Sequence, residues 1–189
     1  MAHVEDGMGR AQRIAAEFPP GVPMPEAMRR LCDHLDRTGY PISGCMRMRP
    51  EGEALKHWFG AGSAAWCQLA GFGAGPDGST LAAWMPDGQD VMDAPVVLLG
   101  LEGELRVLAD GFLDFLALFG IGYDELGYDD PTRPPADLAS AAGLRDWLEA
   151  EFGIVCPPTG AAVVGRAQAR HPGFAEWVAA AQALRDGNG

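Results

Sequence analysis

The middle third of this chain limits its fold more than any other part. From Ala64 to Leu108, short apolar runs alternate with residues that turn a chain. Ala64 to Phe72 and Ser79 to Met85 are separated by Gly75-Pro76-Asp77-Gly78, where proline presets φ and glycine accepts a positive one. Pro86-Asp87-Gly88 turns the chain again. Ala94 to Leu99 is then an apolar run of strand length, Leu101-Glu102-Gly103-Glu104 reads as a tight hairpin turn, and Leu105 to Leu108 returns. Runs this short, joined this tightly, predict a β-meander. Ahead of it, Gly44 to Arg49 alternates Cys45, Arg47 and Arg49 against Met46 and Met48, the period of a half-buried strand.

Helical signals flank the meander. Pro25 to Arg37 carries Met28, Leu31, Cys32 and Leu35 on one stripe, with Pro25 suited to the first turn and Gly39 to the stop. Glu53 to Phe59 reads as a helical turn that places Trp58 on the core. After the meander, Asp110 is positioned to cap a helix over Gly111 to Phe119, with Phe112, Phe115, Leu116 and Phe119 on one face. An acidic, proline-rich loop follows from Gly127 to Pro135. Ser140 can cap a helix that runs to Phe152, and two more helices are expected over Thr159 to Arg170 and Phe174 to Leu184. Strands clustered centrally with helices at both ends predict an α+β fold, a central antiparallel or mixed sheet with the helices packed on it. Residues 1–23, including a short helix from Arg10 to Phe18, read as a flexible lead-in, and 24–185 as a single domain. Hydrophobic residues make up 48% of the chain, enough for one buried core.

Several function classes find no support in the residues. No apolar run is long enough to cross a bilayer, and the start has no apolar signal-peptide core, so a cytoplasmic protein is expected. Cys32, Cys45, Cys67 and Cys156 are irregularly spaced and form no metal-ligand motif with histidine, so they are expected as buried, reduced thiols. Gly60-Ala61-Gly62 and the glycines from Gly71 to Gly75 precede no Lys-Ser/Thr helix start and make no phosphate loop. Of the histidines His3, His34, His57 and His171, only His57, beside Trp58 and within reach of Cys67, invites a catalytic reading, and a partly buried structural role suits it better. Asp87, Asp90 and Asp93 lack the glycine and terminal glutamate of a calcium loop. No catalytic residue, metal or cofactor is assigned. Trp66 and Trp84 fall in expected strands and Trp147 and Trp177 in expected helices, where core packing is the default.

Charge is the remaining signal. The net charge is −12, and residues 57–132 hold twelve acids against a single base, Arg106. Such a segment repels nucleic acid and anionic lipid and attracts a basic protein. The candidate partner-binding residues are Asp87, Asp90 and Asp93 in one loop, Glu102 and Glu104 in the hairpin, and Asp124, Glu125, Asp129 and Asp130 further on. If these loops converge, they present one acidic docking surface that mimics nucleic acid. The competing readings are a solvated acidic face and a carboxylate-dependent enzyme.

The run STLAAWMPDG, followed by APVVLLGLEGELRVLADGFLDFLALFGIG, resembles the SUKH superfamily. Its members carry a strand ending in an aromatic and a turn, then a hairpin of the form P-V-hydrophobic-hydrophobic-L-G-small-E-G, then a helix of L-x-x-F-L-x-L-L type. The tail segments DWLEAEFGIVCPP and HPGFAEWV are similar in style to the C-terminal extension of bacterial members. This chain departs from the pattern at Leu101, where a small polar residue is usual. The resemblance implies a curved sheet with helices on one side. It also implies an immunity protein that neutralises a polymorphic toxin, often a nuclease, or else a scaffold-like regulator of the kind that acts on cell-wall synthesis.

Overall fold

A computed structural model describes residues 8–42 and 45–186 of the chain. At its centre is a five-stranded sheet of β1 (Arg47–Met48), β2 (Leu69–Ala74), β3 (Thr80–Trp84), β4 (Val96–Leu99) and β5 (Leu105–Ala109). The strands lie in sequence order and every neighbouring pair is antiparallel, so the sheet is the expected meander. The helices are α1 (Arg10–Ala16), α2 (Glu26–Thr38), α3 (Gly52–Phe59), α4 (Phe112–Ile121), α5 (Ala142–Phe152), α6 (Ala161–Arg170) and α7 (Phe174–Asp186). The fold is α+β.

The strands are apolar on both faces because both faces are covered. Ala70, Phe72, Leu81, Ala83, Val96, Leu98 and Leu108 join one core with Ile14 of α1, Leu31 of α2, Phe112 and Phe115 of α4, and Leu148 of α5. Leu69, Ala82, Trp84, Val97, Leu99 and Val107 join a second core with Phe59 of α3 and with Phe174 and Val178 of α7. The resemblance implied helices on one side only; here α3 and α7 occupy the opposite face from α1, α2, α4 and α5. Edge-to-face rings anchor the first core, with Phe72 5.6 Å from Phe112 and 5.3 Å from Phe115. Trp84 anchors the second, 5.0 Å from Phe174 and 5.5 Å from Trp177. A β-bulge at Leu108 puts Leu108 and Ala109 into the same core, so strict alternation fails in β5.

The sheet edges are closed differently. Helix α6 lies along β5 and contributes Val163 to one core and Ala167 to the other. At the other edge β1 is only two residues long. It approaches β2 at Gly73, where a Cβ would lie 2.7 Å from Met46 Cε and 3.0 Å from the Arg47 carbonyl oxygen, so only glycine permits this pairing. Short and helix-covered edges offer little backbone for unwanted pairing.

Several expectations need correction. From α1 onwards the N-terminal stretch is not a loose lead-in, because Ile14 and Phe18 are buried in the first core; residues 1–7 lie outside the described residues. The strand expected over Gly44 to Arg49 is confined to Arg47–Met48, and Gly44 lies outside the described residues. Trp66 sits in a 3-10 turn, Ala65–Gln68, ahead of β2. Asp110 does not cap α4, whose N-cap is Gly111, and Ser140 does not cap α5, whose N-cap is Ala141. Each polar side chain has found another partner: Asp110 holds Arg170 and His171, and the Ser140 hydroxyl donates to Asp137. Cys67 is exposed, in contrast to the buried Cys32 and Cys45, and no disulfide links the cysteines. His57 is exposed as well.

Candidate functional site

A meander sends alternate turns to opposite ends of its strands. Thr80 pairs with Leu99 and Ala83 with Val96, so the β3–β4 connection leaves from one end and the β4–β5 hairpin from the other. Asp87, Asp90 and Asp93 therefore lie about one strand length, ~15 Å, from Glu102 and Glu104. The nine candidate carboxylates do not form one surface.

The hairpin end gathers the larger group. Gly103, at φ +94°, closes the β4–β5 turn, and the Gly100 N–H donates to the Glu104 carbonyl at 2.7 Å. The neighbouring β2–β3 turn is held by Asp77, whose Oδ1 accepts from the Ser79 N–H at 3.1 Å and the Ser79 hydroxyl at 2.7 Å. Tyr128, from the loop after α4, also hydrogen-bonds Asp77. Burial works against the Asp77 charge, but the bonds from Ser79 and Tyr128 outweigh it and hold the carboxyl below the usual range. Burial, then the bond to Asp77 and the charges of Asp77 and Glu104, push the Tyr128 hydroxyl up to about 12. A Cβ on Gly100 would run into Glu104 Oε2 and meet the Tyr128 hydroxyl at 2.7 Å, so these two groups converge on the hairpin backbone. Arg106 lies 5.6 Å from the Tyr128 ring centre.

This contact brings the acidic loop to the hairpin. Asp129 accepts from the Glu125 N–H at 3.0 Å, and Asp130 accepts from the Thr132 N–H at 2.9 Å and the Thr132 hydroxyl at 2.7 Å. The Thr132 bonds lower the Asp130 pKa. The Tyr123 hydroxyl donates to the Arg133 carbonyl at 2.7 Å and accepts from the Gly160 N–H at 2.9 Å, which ties the loop to the start of α6. Glu102, Asp124, Glu125, Asp129 and Asp130 are exposed and Glu104 is half-buried. With Asp77, this end carries seven carboxylates against Arg106 and Arg133. At its tip Leu101 is 68% exposed, its Cδ1 3.1 Å from where a Gly78 Cβ would be. The turn chemistry and the acids were legible in the sequence; the Tyr128–Asp77 bond that joins them was not, because it spans elements far apart in the chain.

The opposite end is of another kind. Asp87, Asp90 and Asp93 are exposed. Asp93 borders a cleft of about 360 Å³ with Asp110, Asp114, Leu113, Arg170 and His171. His171 Nε2 lies 2.6 Å from Asp110 Oδ1, Arg170 pairs with the same carboxylate, and Arg166 bridges Asp114 at 2.8 Å. Of the acids at this end, Asp110 and Asp114 are paired by side chains from the C-terminal half of α6 and the residue after it. The Asp–His pair was not foreseen, since His171 sits in a Pro-Gly segment sixty-one residues from Asp110. No serine, threonine or cysteine lines this cleft, so it supplies no hydroxyl or thiol nucleophile.

Among the described residues no group of three or more histidine, cysteine or acidic side chains is arranged to hold a metal ion, and no helix is long and apolar enough to cross a membrane. Comparison of the chain with protein-family models, with curated proteins and with solved structures finds no match in any of the three.

Proposed function

We propose that this chain is a non-enzymatic protein-binding domain that docks a basic protein on the hairpin end of its sheet. The observation that carries the reading is Leu101, an exposed apolar side chain at the tip of a hairpin, on an end that carries seven carboxylates against two arginines. An apolar anchor ringed by charge suits an interface: the carboxylates speed encounter with a cationic surface, and the leucine buries area once contact is made. The Asp77–Tyr128 bond holds two turns and the acidic loop together before binding, which lowers the ordering cost. The binding residues are then Glu102, Glu104, Asp124, Glu125, Asp129 and Asp130, without Asp87, Asp90 and Asp93.

The resemblance to SUKH proteins makes the finer form of the proposal an immunity protein that covers the basic active-site cleft of a toxin, nuclease-type toxins being the best electrostatic match. The same surface would serve a scaffold or regulatory adaptor whose partner is not a toxin. The free cysteines suit the reducing cytoplasm in either case.

The test uses the product of a neighbouring toxin gene as partner. Its association rate should fall at least about tenfold between ~50 mM and ~500 mM salt. Leu101→Asp should weaken the complex while leaving stability within about 0.5 kcal/mol, as for other exposed sites. An association rate indifferent to salt, or a Leu101→Asp complex as tight as the original, would remove the basis of the reading. Binding without rescue of growth would favour the adaptor form.

A further inference from the structure

Where the acidic loop meets β5 and α6, a pocket of about 60 Å³ opens. Its walls are Leu108 of β5, Leu118 of α4, Val164 of α6, and Tyr123 and Leu126 from the segment after α4. Leu108, Leu118, Tyr123 and Leu126 are each 5% exposed or less, so the pocket is a narrow slot. Arg106, Asp129 and Gln168, all exposed, stand at its rim. Asp129 belongs to the acidic docking end as well, so slot and docking face are continuous.

The fold holds the slot ready. Gly127 also lines it, and the chain there runs so close to the sheet that a Cβ would lie 2.9 Å from Leu98 Cδ1 and 3.5 Å from Leu108 Cδ2. The Tyr123 hydroxyl donates to the Arg133 carbonyl and accepts from the Gly160 N–H, which pins the loop to the start of α6. The one polar group on the side-chain walls is therefore already bonded. A volume of this size falls well short of the ~300 Å³ at which cofactor and small-molecule sites begin, and apolar walls hold water poorly. A short aliphatic side chain suits both the size and the chemistry. Arg106 and Asp129 set opposite charges at the mouth, so a charged occupant would lose at one what it gained at the other. Around the mouth the balance is acidic, with Asp124, Glu125 and Asp130 in the same loop as Asp129. The residues beside the inserted one should then be cationic.

We propose that this slot is an anchor pocket of the docking face: it takes a valine-sized aliphatic side chain from the basic partner, with lysine or arginine on either side of it in the partner's chain. Interface hot spots sit in desolvated pockets of this kind, ringed by weaker contacts. The proposal rests on the docking reading and adds to it an apolar contact besides Leu101.

The experiment is an NMR titration of the full chain with three end-capped peptides: Lys-Lys-Val-Lys-Lys, Lys-Lys-Thr-Lys-Lys and Glu-Glu-Val-Glu-Glu. Valine and threonine share a shape, so the first pair isolates the apolar contribution. The valine–lysine peptide should shift the methyl resonances of Leu108, Leu118, Leu126 and Val164 together with the amides of Asp124, Glu125 and Asp130. It should bind at least about fivefold more tightly than the threonine peptide, whose hydroxyl would be buried without a partner. The threonine peptide should move the amides alone, and the glutamate peptide neither set. Val164→Phe fills the slot from its wall, and Gln168→Trp covers it from an exposed rim position should the phenylalanine impair folding. Either change should abolish the leucine methyl shifts and the preference for valine while the amides still respond. If the two lysine peptides bind equally and move only the amides, or if a folded variant keeps the preference for valine, the pocket proposal is overturned and the docking reading stands. If neither lysine peptide moves the amides, the docking reading falls and the proposal with it. A glutamate peptide that shifts the methyls as readily as the valine–lysine peptide overturns the basic occupant.

Discussion

Thr80→Val isolates the carboxylate of Glu51, which is more deeply buried than the Asp110 carboxylate. Glu51 is 3% exposed and Thr80 2%, and the Thr80 hydroxyl donates to Glu51 Oε2 at 3.0 Å. The other Glu51 oxygen pairs with Arg49, whose side chain is 57% exposed. Valine matches threonine in shape, so the substitution deletes a hydrogen bond and opens almost no cavity. A hydrogen bond to a charged group is worth about 1.5–3 kcal/mol, and with the Glu51 side chain only 2% exposed, a loss of about 2 kcal/mol is expected. Arg49 contributes less, because its exposed guanidinium is screened by solvent. The assay is equilibrium urea unfolding, read as a lower midpoint at unchanged m value; for a domain this long, Tm should drop by about 4–8 °C. The decisive step repeats the change in a Glu51→Leu background. With the carboxylate gone there is nothing to leave unsatisfied, and Thr80→Val should become neutral or mildly stabilising. An equal cost in both backgrounds would show that valine is misfitting the strand, and the reasoning about the buried carboxylate would fail.

Gly127→Ala should destabilise by more than about 1 kcal/mol on two counts: φ is +92°, and the new Cβ would sit 2.9 Å from Leu98 Cδ1. Thermal unfolding checks it, and a neutral result would mean the loop is not held in this conformation. Because the folded pKa of His34 is lowered from 6.5, the unfolded chain takes up a proton that the folded chain refuses. Stability should therefore fall as pH drops below about 6.5, and His34→Phe should remove that part of the pH dependence in urea titrations at pH 5 and 7.5. Thiol labelling at neutral pH should modify Cys67 first, while Cys32, buried and with its pKa pushed up to about 12, reacts only on unfolding. Fast labelling of Cys32 in the native state would contradict its burial.

The meander was legible because its determinants are local. Gly75-Pro76-Asp77-Gly78 and Leu101-Glu102-Gly103-Glu104 dictate turns by backbone chemistry within four residues, and the apolar runs between them are too short for much else. The helices α2, α6 and α7 announced themselves in the same way, through stripes and stops. Capping was misjudged where a tertiary partner outcompeted the local one, as at Asp110, which was drawn from the start of α4 to Arg170 and His171. The exposure of Cys67 and the burial of Glu51 were equally hidden, since neither residue type nor spacing says which side chain a distant strand will cover.

By itself, then, the amino-acid order determined the strand sequence, the turns, the acidic middle segment and the α+β class, all properties of residues within one or two turns of each other. Only the tertiary structure decided which acids share a surface, because a meander sends successive loops to opposite ends of its strands. It was also the tertiary structure that brought Tyr128 to Asp77 and set His34 against Trp147 on a cavity wall. Those contacts join segments brought together by burying apolar faces on both sides of the sheet, and no local rule records them.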